Sequence, residues 1–328
     1  MAASSPTTES AFGPPHRHRA SGHTRSHEKM NGKTIMTAAR LTLDDVVAID
    51  FHAHALNSAT APEDAAAKKI KADQADRWKS DLVNIDLDGT AQYYRERKMM
   101  AVIFGVDSER HMGDKRVPNI EVAEAAARHD DVFVPFASID PYRGKAAIAE
   151  AVDLIENHGV QGFKFHPSVQ DFAPDDRLAC DLYEVIAGYK RIALFHSGQT
   201  GIGRNFPGGG GVRLKYSNPM YYDDLAVDFP DMTIVIAHPS FPWQDEALAV
   251  ARHKQNVFID LSGWSPKYFD PKLIQHSNNL LKDKVLFGSD FPLLTPDRWL
   301  ADFAQAPFKD EVRSLILKDN AVRVLGLR

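Results

Sequence analysis

The chain has 328 residues, of which 44% are hydrophobic and 25% are charged, as is typical of a globular protein with a large core. A formal net charge of −5 provides no domain-wide positive field for phosphates, which argues against a nucleic-acid partner. The one cysteine, Cys180, allows no intramolecular disulfide and favours a reducing, cytoplasmic location, and no apolar run approaches the roughly 20 residues of a membrane span.

Residues 1–40 differ in composition from the rest of the chain. They are rich in Ser, Pro, Thr, Arg and His and poor in large apolar side chains, so they cannot bury enough surface to offset the entropy of ordering. We predict a disordered tail at 1–40 and a single catalytic domain at 41–328. The tail lacks the apolar core of a secretory signal, and Met30 and Met36 are both candidate starts of translation.

From residue 41 onward, short apolar runs alternate with helix-period segments. The near-continuous apolar character of the runs predicts buried parallel strands, and eight βα units are what a (β/α)8 TIM barrel requires. The predicted strands are Val46–Phe51, Met99–Val106, Val132–Ile139, Val160–Phe165, Arg191–His196, Met232–His238, Asn256–Leu261 and Lys284–Asp290. The predicted helices include Ile120–Arg128, Lys145–His158, Arg177–Tyr189 and Asp245–Lys254.

Two further segments complete the predicted barrel. The connection at 57–98 is longer than the others and contains a charged helical stretch, so we expect an inserted helical segment that covers the mouth. Residues 295–327 are expected to supply two or three closing helices.

Metal-competent side chains end five of the eight predicted strands. His52 and His54 follow the first strand at a spacing of two, which places both imidazoles on the same side of a strand. Such a pair alone can simply cap a strand, but the later strands end in similar residues. These are Lys164 and His166, then His196, His238 and Asp290. Catalytic groups of such barrels lie at the carboxyl ends of the strands, and Asp290 would neighbour the histidine pair in a closed barrel.

This set resembles the amidohydrolase superfamily. The surroundings GFKFHP, AHPSFPW and FGSDFP are similar to its amidohydrolase 2 branch, which includes aminocarboxymuconate semialdehyde decarboxylase, resorcylate decarboxylases and pyrone-dicarboxylate lactonase. The resemblance implies that His52, His54, His196 and Asp290 bind one divalent metal. It also implies that His238 is an acid/base histidine beside that metal.

The chemistry of the donors bears on the metal and on the neighbouring residues. Three imidazoles and a carboxylate suit zinc, with manganese as the alternative. Lys164 has three open roles: a carbamylated bridge between two metals as in binuclear relatives, a contact to a substrate anion, or a buried ion pair. His166 either lines the pocket or packs in the core.

The loop after the fifth strand, GQTGIGRNFPGGGGVRLKYSNP, is unusually rich in glycine and basic residues. Arg204 and Arg213 in this loop could hold a substrate carboxylate or phosphate, or the loop could be a mobile lid. Aromatic residues on the same rim suggest a planar substrate, with Trp243 and Trp264 as candidate contacts. The loop also resembles that of 4-hydroxyphenyl-β-ketoacyl-CoA hydrolases, which implies a CoA thioester substrate.

These observations predict a metal-dependent hydrolase in which Asp290 accepts a proton from water and His238 polarises a carbonyl or protonates a leaving group. Two alternatives remain at this stage. A nonoxidative decarboxylase would use the same ligands, and a metal-free binding barrel would make the strand-end residues coincidental. The substrate is expected to be a small aromatic or acidic molecule, and the resemblance implies a homodimer.

Overall fold

The structure is a computed structural model, and it describes residues 40–61, 65–78 and 84–328. The predicted disordered tail falls, apart from residue 40, outside the described residues. The described residues from 40 onward cluster as one compact unit.

Within the described residues, eight parallel strands form one sheet in the order β1 to β8, which confirms the predicted TIM barrel. Because successive strands are neighbours throughout, the carboxyl ends of all eight strands meet at one rim. The strands are β1 Ala48–His54, β2 Met99–Phe104, β3 Phe133–Ala137, β4 Gly162–Phe165, β5 Ile192–His196, β6 Thr233–Ala237, β7 Val257–Asp260 and β8 Val285–Leu286.

The helices lie between the strands and after β8. The helices of the βα units are α3 Glu109–Met112, α4 Asn119–Arg128, α5 Lys145–His158, α6 Pro167–Gln170, α7 Arg177–Gly188, α8 Tyr221–Asp228, α9 Gln244–His253 and α10 Pro271–Ser277. In the long first connection are α1 Ala65–Trp78 and α2 Leu87–Glu96, and the closing helices are α11 Pro296–Gln305, α12 Asp310–Ser314 and α13 Asn320–Leu325. None of the described helices combines the length and the apolar character needed to cross a membrane.

Two layers of apolar side chains stabilise this arrangement. Inside the barrel, alternate residues of the strands pack together, among them Phe51, Val102, Phe136 and Leu194. The other strand faces pack against the helices and form a larger cluster. Alternation of side chains along each strand accounts for both layers, since every strand is buried on both faces.

The barrel closes irregularly between β1 and β8. The predicted eighth strand extends to Asp290, but regular pairing ends at Leu286 because the next amide, on Phe287, donates to the carbonyl of Ile316. Separate contacts close the gap. The amide of Phe51 donates to the carbonyl of Phe287 (2.8 Å), and the amide of His54 donates to that of Phe291 (2.7 Å).

Candidate metal centre

A β-bulge in β1 turns the two histidines toward the cavity. Pairing with β2 shifts between Asp50 and Ala53, so that one extra residue is accommodated in β1. Phe51 still faces the barrel interior, while Ala53 packs against the helices. As a result His52 and His54 both line the cavity at the carboxyl rim, with ring centroids 5.1 Å apart.

Asp290 completes a cluster of three metal-competent side chains. Its Oδ1 atom lies 3.0 Å from His54 Nε2 and 3.5 Å from His52 Nε2. The ligand atoms of these three residues all lie within 4.8 Å of one another. We call His52, His54 and Asp290 the ligand cluster. Asp290 adopts a left-handed backbone conformation (φ +77°), which is uncommon outside glycine and is found at functional sites.

Asp260 belongs to the site, although the sequence analysis did not name it. Its Oδ2 atom lies 2.8 Å from His52 Nδ1, and both side chains are fully buried. A carboxylate at Nδ1 keeps the proton on that nitrogen and leaves the Nε2 lone pair for a metal. The signal was present, because Asp260 ends β7 as the other candidates end their strands.

His238 and His196 extend this network. His238 Nε2 lies 3.0 Å from His196 Nδ1, and Ser262 Oγ lies 2.9 Å from His238 Nδ1 and 3.0 Å from His52 Nδ1. Gly263 makes room for this arrangement, since a Cβ atom there would lie 2.6 Å from His238 Nδ1. Three of the four predicted ligands, His52, His54 and Asp290, therefore lie together. Among the described residues, His196 lies beside His238, whose ring centroid is 4.9 Å from that of His52.

His166 and His196 stack in parallel at the wall of the cavity. Their ring centroids are 3.7 Å apart and their planes differ by 8°. His196 Nε2 and His166 Nδ1 are buried and have no hydrogen-bond partner among the described residues. Because a buried imidazole nitrogen without a partner is costly, the free Nε2 of His196 fits a metal ligand.

The electrostatics of the site favour neutral histidines beside an ionised carboxylate. Burial holds the pKa values of His52 and His196 well below the usual range of histidine. The pKa of Asp290 lies below its usual range, because the hydrogen bond with His54 and the neighbouring imidazoles outweigh the opposing effect of burial. Neutral imidazoles and a carboxylate are the protonation states that a divalent cation requires.

Lys164 is buried next to the ligand cluster. Its Nζ lies 3.1 Å from His52 Nε2, and burial lowers its pKa to about 8. No carboxylate within the described residues lies in ion-pair distance of this ammonium group, so the ion-pair role considered from the sequence is not what the geometry shows.

The fold and these side chains can be compared with known proteins. A family model of amidohydrolases matches residues 49–327. The chain belongs to the amidohydrolase family. No curated protein matches it at a significant level.

Solved structures resemble this amidohydrolase over most of its length. An uncharacterised TIM-barrel protein from Bordetella bronchiseptica shares 24% identity and a TM-score of 0.70, over 85% of this chain and 98% of that one. 5-Carboxyvanillate decarboxylase from Sphingomonas paucimobilis shares 14% identity and a TM-score of 0.57, over 86% and 100%. A dihydroxybenzoic acid decarboxylase from Polaromonas with bound manganese shares 16% identity and a TM-score of 0.57, over 86% and 97%.

The amidohydrolase has a cavity of about 730 Å³ above the ligand cluster. Four of the predicted substrate contacts line this cavity: Lys164, His166, Arg204 and Trp264. The side chains of His196 and His238 also form part of its wall. Arg213 and Trp243 are not among its lining residues. Arg213 pairs instead with Asp171, and Trp243 occupies the position directly before α9, so the structure corrects their predicted placement at the pocket.

Proposed function

We propose that this amidohydrolase is a metal-dependent hydrolase of a carbonyl compound that carries an aromatic ring and an anionic group. The observation that carries the proposal is the convergence of His52, His54 and Asp290 beneath a large cavity. His196, whose buried Nε2 has no hydrogen-bond partner among the described residues, lines the same cavity. These four residues would hold the ion, and zinc and manganese both suit them.

A divalent ion at this site would act as a Lewis acid toward a carbonyl oxygen and, in the case of zinc, would make water more acidic. The chain's own residues supply the proton transfers. Ionised Asp290 accepts a proton as water attacks the carbonyl. His238, at the cavity wall, then relays this proton to the leaving group, so that both residues return to their starting states. Asp260 holds the tautomer of His52 throughout.

The cations that line the cavity support an anionic substrate. Arg116 is paired with Asp107 and Glu150, so its charge is compensated. In contrast, the part of the chain that the structure describes offers no ion-pair partner to Arg204 or Arg298, which also line the cavity. Unpaired guanidinium groups favour carboxylate or phosphate groups.

The cavity walls support an aromatic substrate of some length. Trp264 and Tyr268 lie in the lining, and Trp264 packs against Phe241 with ring centroids 5.7 Å apart. Such rings suit a planar ligand. A 4-hydroxyphenyl-β-ketoacyl-CoA would combine the ring, the carbonyl and the phosphates, and its carbon–carbon hydrolysis would give an aromatic acid and acetyl-CoA.

A decarboxylase is the second candidate, because two of the structural relatives described above are decarboxylases of aromatic acids and one of them holds manganese. The same ligand cluster could chelate the carboxylate and an adjacent hydroxyl of such an acid. In that reaction the ring carbon gains a proton as CO2 leaves.

The source of oxygen in the product separates the two reactions. We would incubate the protein, loaded with zinc or with manganese, in H₂¹⁸O with a 4-hydroxyphenyl-β-ketoacyl-CoA and, separately, with 2,6-dihydroxybenzoate. The hydrolase predicts one ¹⁸O atom in the aromatic acid formed from the thioester and no CO2 from the benzoate. Release of CO2 without hydrolysis of the thioester would contradict it and establish the decarboxylase.

A further inference from the structure

Asp50 is a buried carboxylate that the proposed chemistry does not use. It lies on β1, two residues before His52, and its side chain is inaccessible to solvent. Among the described residues no cation lies within ion-pair distance of it. A buried carboxylate without a cation is costly unless several hydrogen bonds stabilise it.

Four donors converge on this carboxylate. Oδ1 accepts from the amide of His52 (3.0 Å) and from the amide of Ser289 (2.8 Å). Oδ2 accepts from the hydroxyl of Tyr94 (2.7 Å) and from the hydroxyl of Ser289. Asp50 therefore connects β1, the segment after β8 and helix α2 at a single point.

Three of these four donors belong to a residue of the ligand cluster or to the residue directly before one. His52 is itself a member, and Ser289 precedes Asp290, whose amide in turn donates to the carbonyl of His52 (3.0 Å). Regular β8 pairing ends three residues before Ser289. The carboxylate of Asp50 thus replaces the missing strand pairing at the place where the ligands from β1 and β8 must meet.

The two side-chain oxygens of Asp50 match this set of four donors. All four groups are donors, and a carboxylate can accept all four, whereas the asparagine side chain has only one acceptor atom. In asparagine an NH₂ group would take the place of Oδ2 and face the hydroxyls of Tyr94 and Ser289. Their oxygens can accept from it, but the protons that they donate to Oδ2 would lose that acceptor. Asparagine is therefore close to Asp50 in shape but unable to make the same contacts.

We propose that Asp50 is a positioning residue that fixes the separation between the β1 histidines and Asp290, and so sets the affinity of the metal centre. The inference rests on the proposed function, because it assumes that the ligand cluster binds a divalent ion. A purely structural role would make Asp50 matter for folding without a specific effect on the metal.

The test is the affinity for Zn²⁺, measured by competition with a chromophoric chelator, together with thermal unfolding of the metal-free protein. Asp50→Asn is expected to weaken zinc binding about tenfold or more, in the range known for residues that orient metal ligands. Ser289→Ala, which leaves both backbone contacts of Asp50 in place, is expected to weaken it less.

Asp131→Asn is the matched control. Asp131 is also buried and accepts three hydrogen bonds, from Arg95 and from the amide of Leu41, but it lies before β3 at the opposite end of the barrel. We expect this variant to unfold at a lower temperature while it binds zinc within about twofold of the wild type.

The outcomes are distinct. Asp50→Asn protein that is folded and binds zinc as tightly as the wild type would overturn the inference and leave the proposed function intact. If Asp50→Asn does not fold, unchanged zinc affinity of Ser289→Ala overturns the inference and weakened affinity supports it. Wild-type protein that binds no zinc and no manganese would overturn both proposals.

Discussion

At the scale of single residues, the centre depends on how His52 is held. Its Nδ1 faces Asp260 and Ser262. Its Nε2 lies 3.1 Å from Lys164 Nζ and 3.5 Å from Asp290 Oδ1, at the site of the proposed ion. The imidazole is therefore fixed in both orientation and tautomer before any ligand arrives. Orientation of this kind raises the basicity of the coordinating nitrogen.

Asp260→Asn is expected to weaken metal binding about 10- to 100-fold, because the amide no longer holds the proton on His52 Nδ1 as a carboxylate does. Chelator competition measures the effect. Asp297→Asn, an exposed carboxylate paired with Arg97, is the control and should bind metal as the wild type does. Equal affinity in the two variants would show that the Asp260 contact has no role in metal binding.

The sequence predicted most of these residues but not all of their geometry. The rule that polar residues at strand ends meet at one rim predicts that His52, His54, His238 and Asp290 lie close together, and in the structure they do. Their roles stay predictions. The bulge in β1 was not predictable, because nothing in the alternation of apolar residues marks where one strand gains a residue. Asp260 satisfied the same rule and was overlooked.

At the scale of elements, α11 is anchored by one aromatic side chain. Trp299 is fully buried, donates from Nε1 to the carbonyl of Leu261 (3.2 Å), and contacts Phe287 and Phe303 with ring centroids 4.6 and 4.8 Å apart. Since α11 follows the segment that carries Asp290, this packing also supports the rim of the barrel.

Trp299→Ala is expected to lower the free energy of unfolding by about 3–5 kcal/mol, through loss of buried apolar area and the cavity that remains. Urea denaturation measures the change. Leu280→Ala, at a position where the leucine is 60% exposed, should change it by no more than about 0.5 kcal/mol. A similar loss in both variants would contradict the anchoring role of Trp299.

A buried ion pair joins α2 to the chain before β3. Asp131 accepts from Arg95 Nε (2.8 Å) and Nη2 (2.7 Å), and the hydrogen bonds from this guanidinium lower the pKa of Asp131 to about 2, against the opposing effect of burial. The ordinary pKa of an unfolded aspartate is about 3.9. A depressed pKa in the folded state means that the pair stabilises the protein above the unfolded value and loses this effect as the pH falls toward the folded value.

Asp131→Asn is therefore expected to lower the free energy of unfolding by about 2 kcal/mol at neutral pH. The difference from wild type should shrink as the pH falls from about 4 toward 2. Urea denaturation at a series of pH values provides the measurement. A difference that stays constant over this range would contradict the assigned role of the ion pair.

At the scale of the whole molecule, the number of apolar runs was enough to predict the fold, whereas the lining of the cavity depends on the loops. The eight apolar runs predicted the barrel because parallel strands buried on both faces have a distinctive composition. No comparable composition rule predicts the conformation of the long loops. In the loop after β5, Arg204 lines the cavity, whereas Arg213 pairs with Asp171. No sequence pattern distinguishes these two arginines.

The central claim is that the strand-end residues form a metal centre. The most direct test is elemental analysis of the purified protein and of a His52→Ala variant prepared in the same way, with zinc and manganese supplied during expression. We predict close to one divalent ion per chain in the wild type and its loss in the variant. Wild-type protein without stoichiometric metal would contradict the metal centre and, with it, the proposed hydrolase.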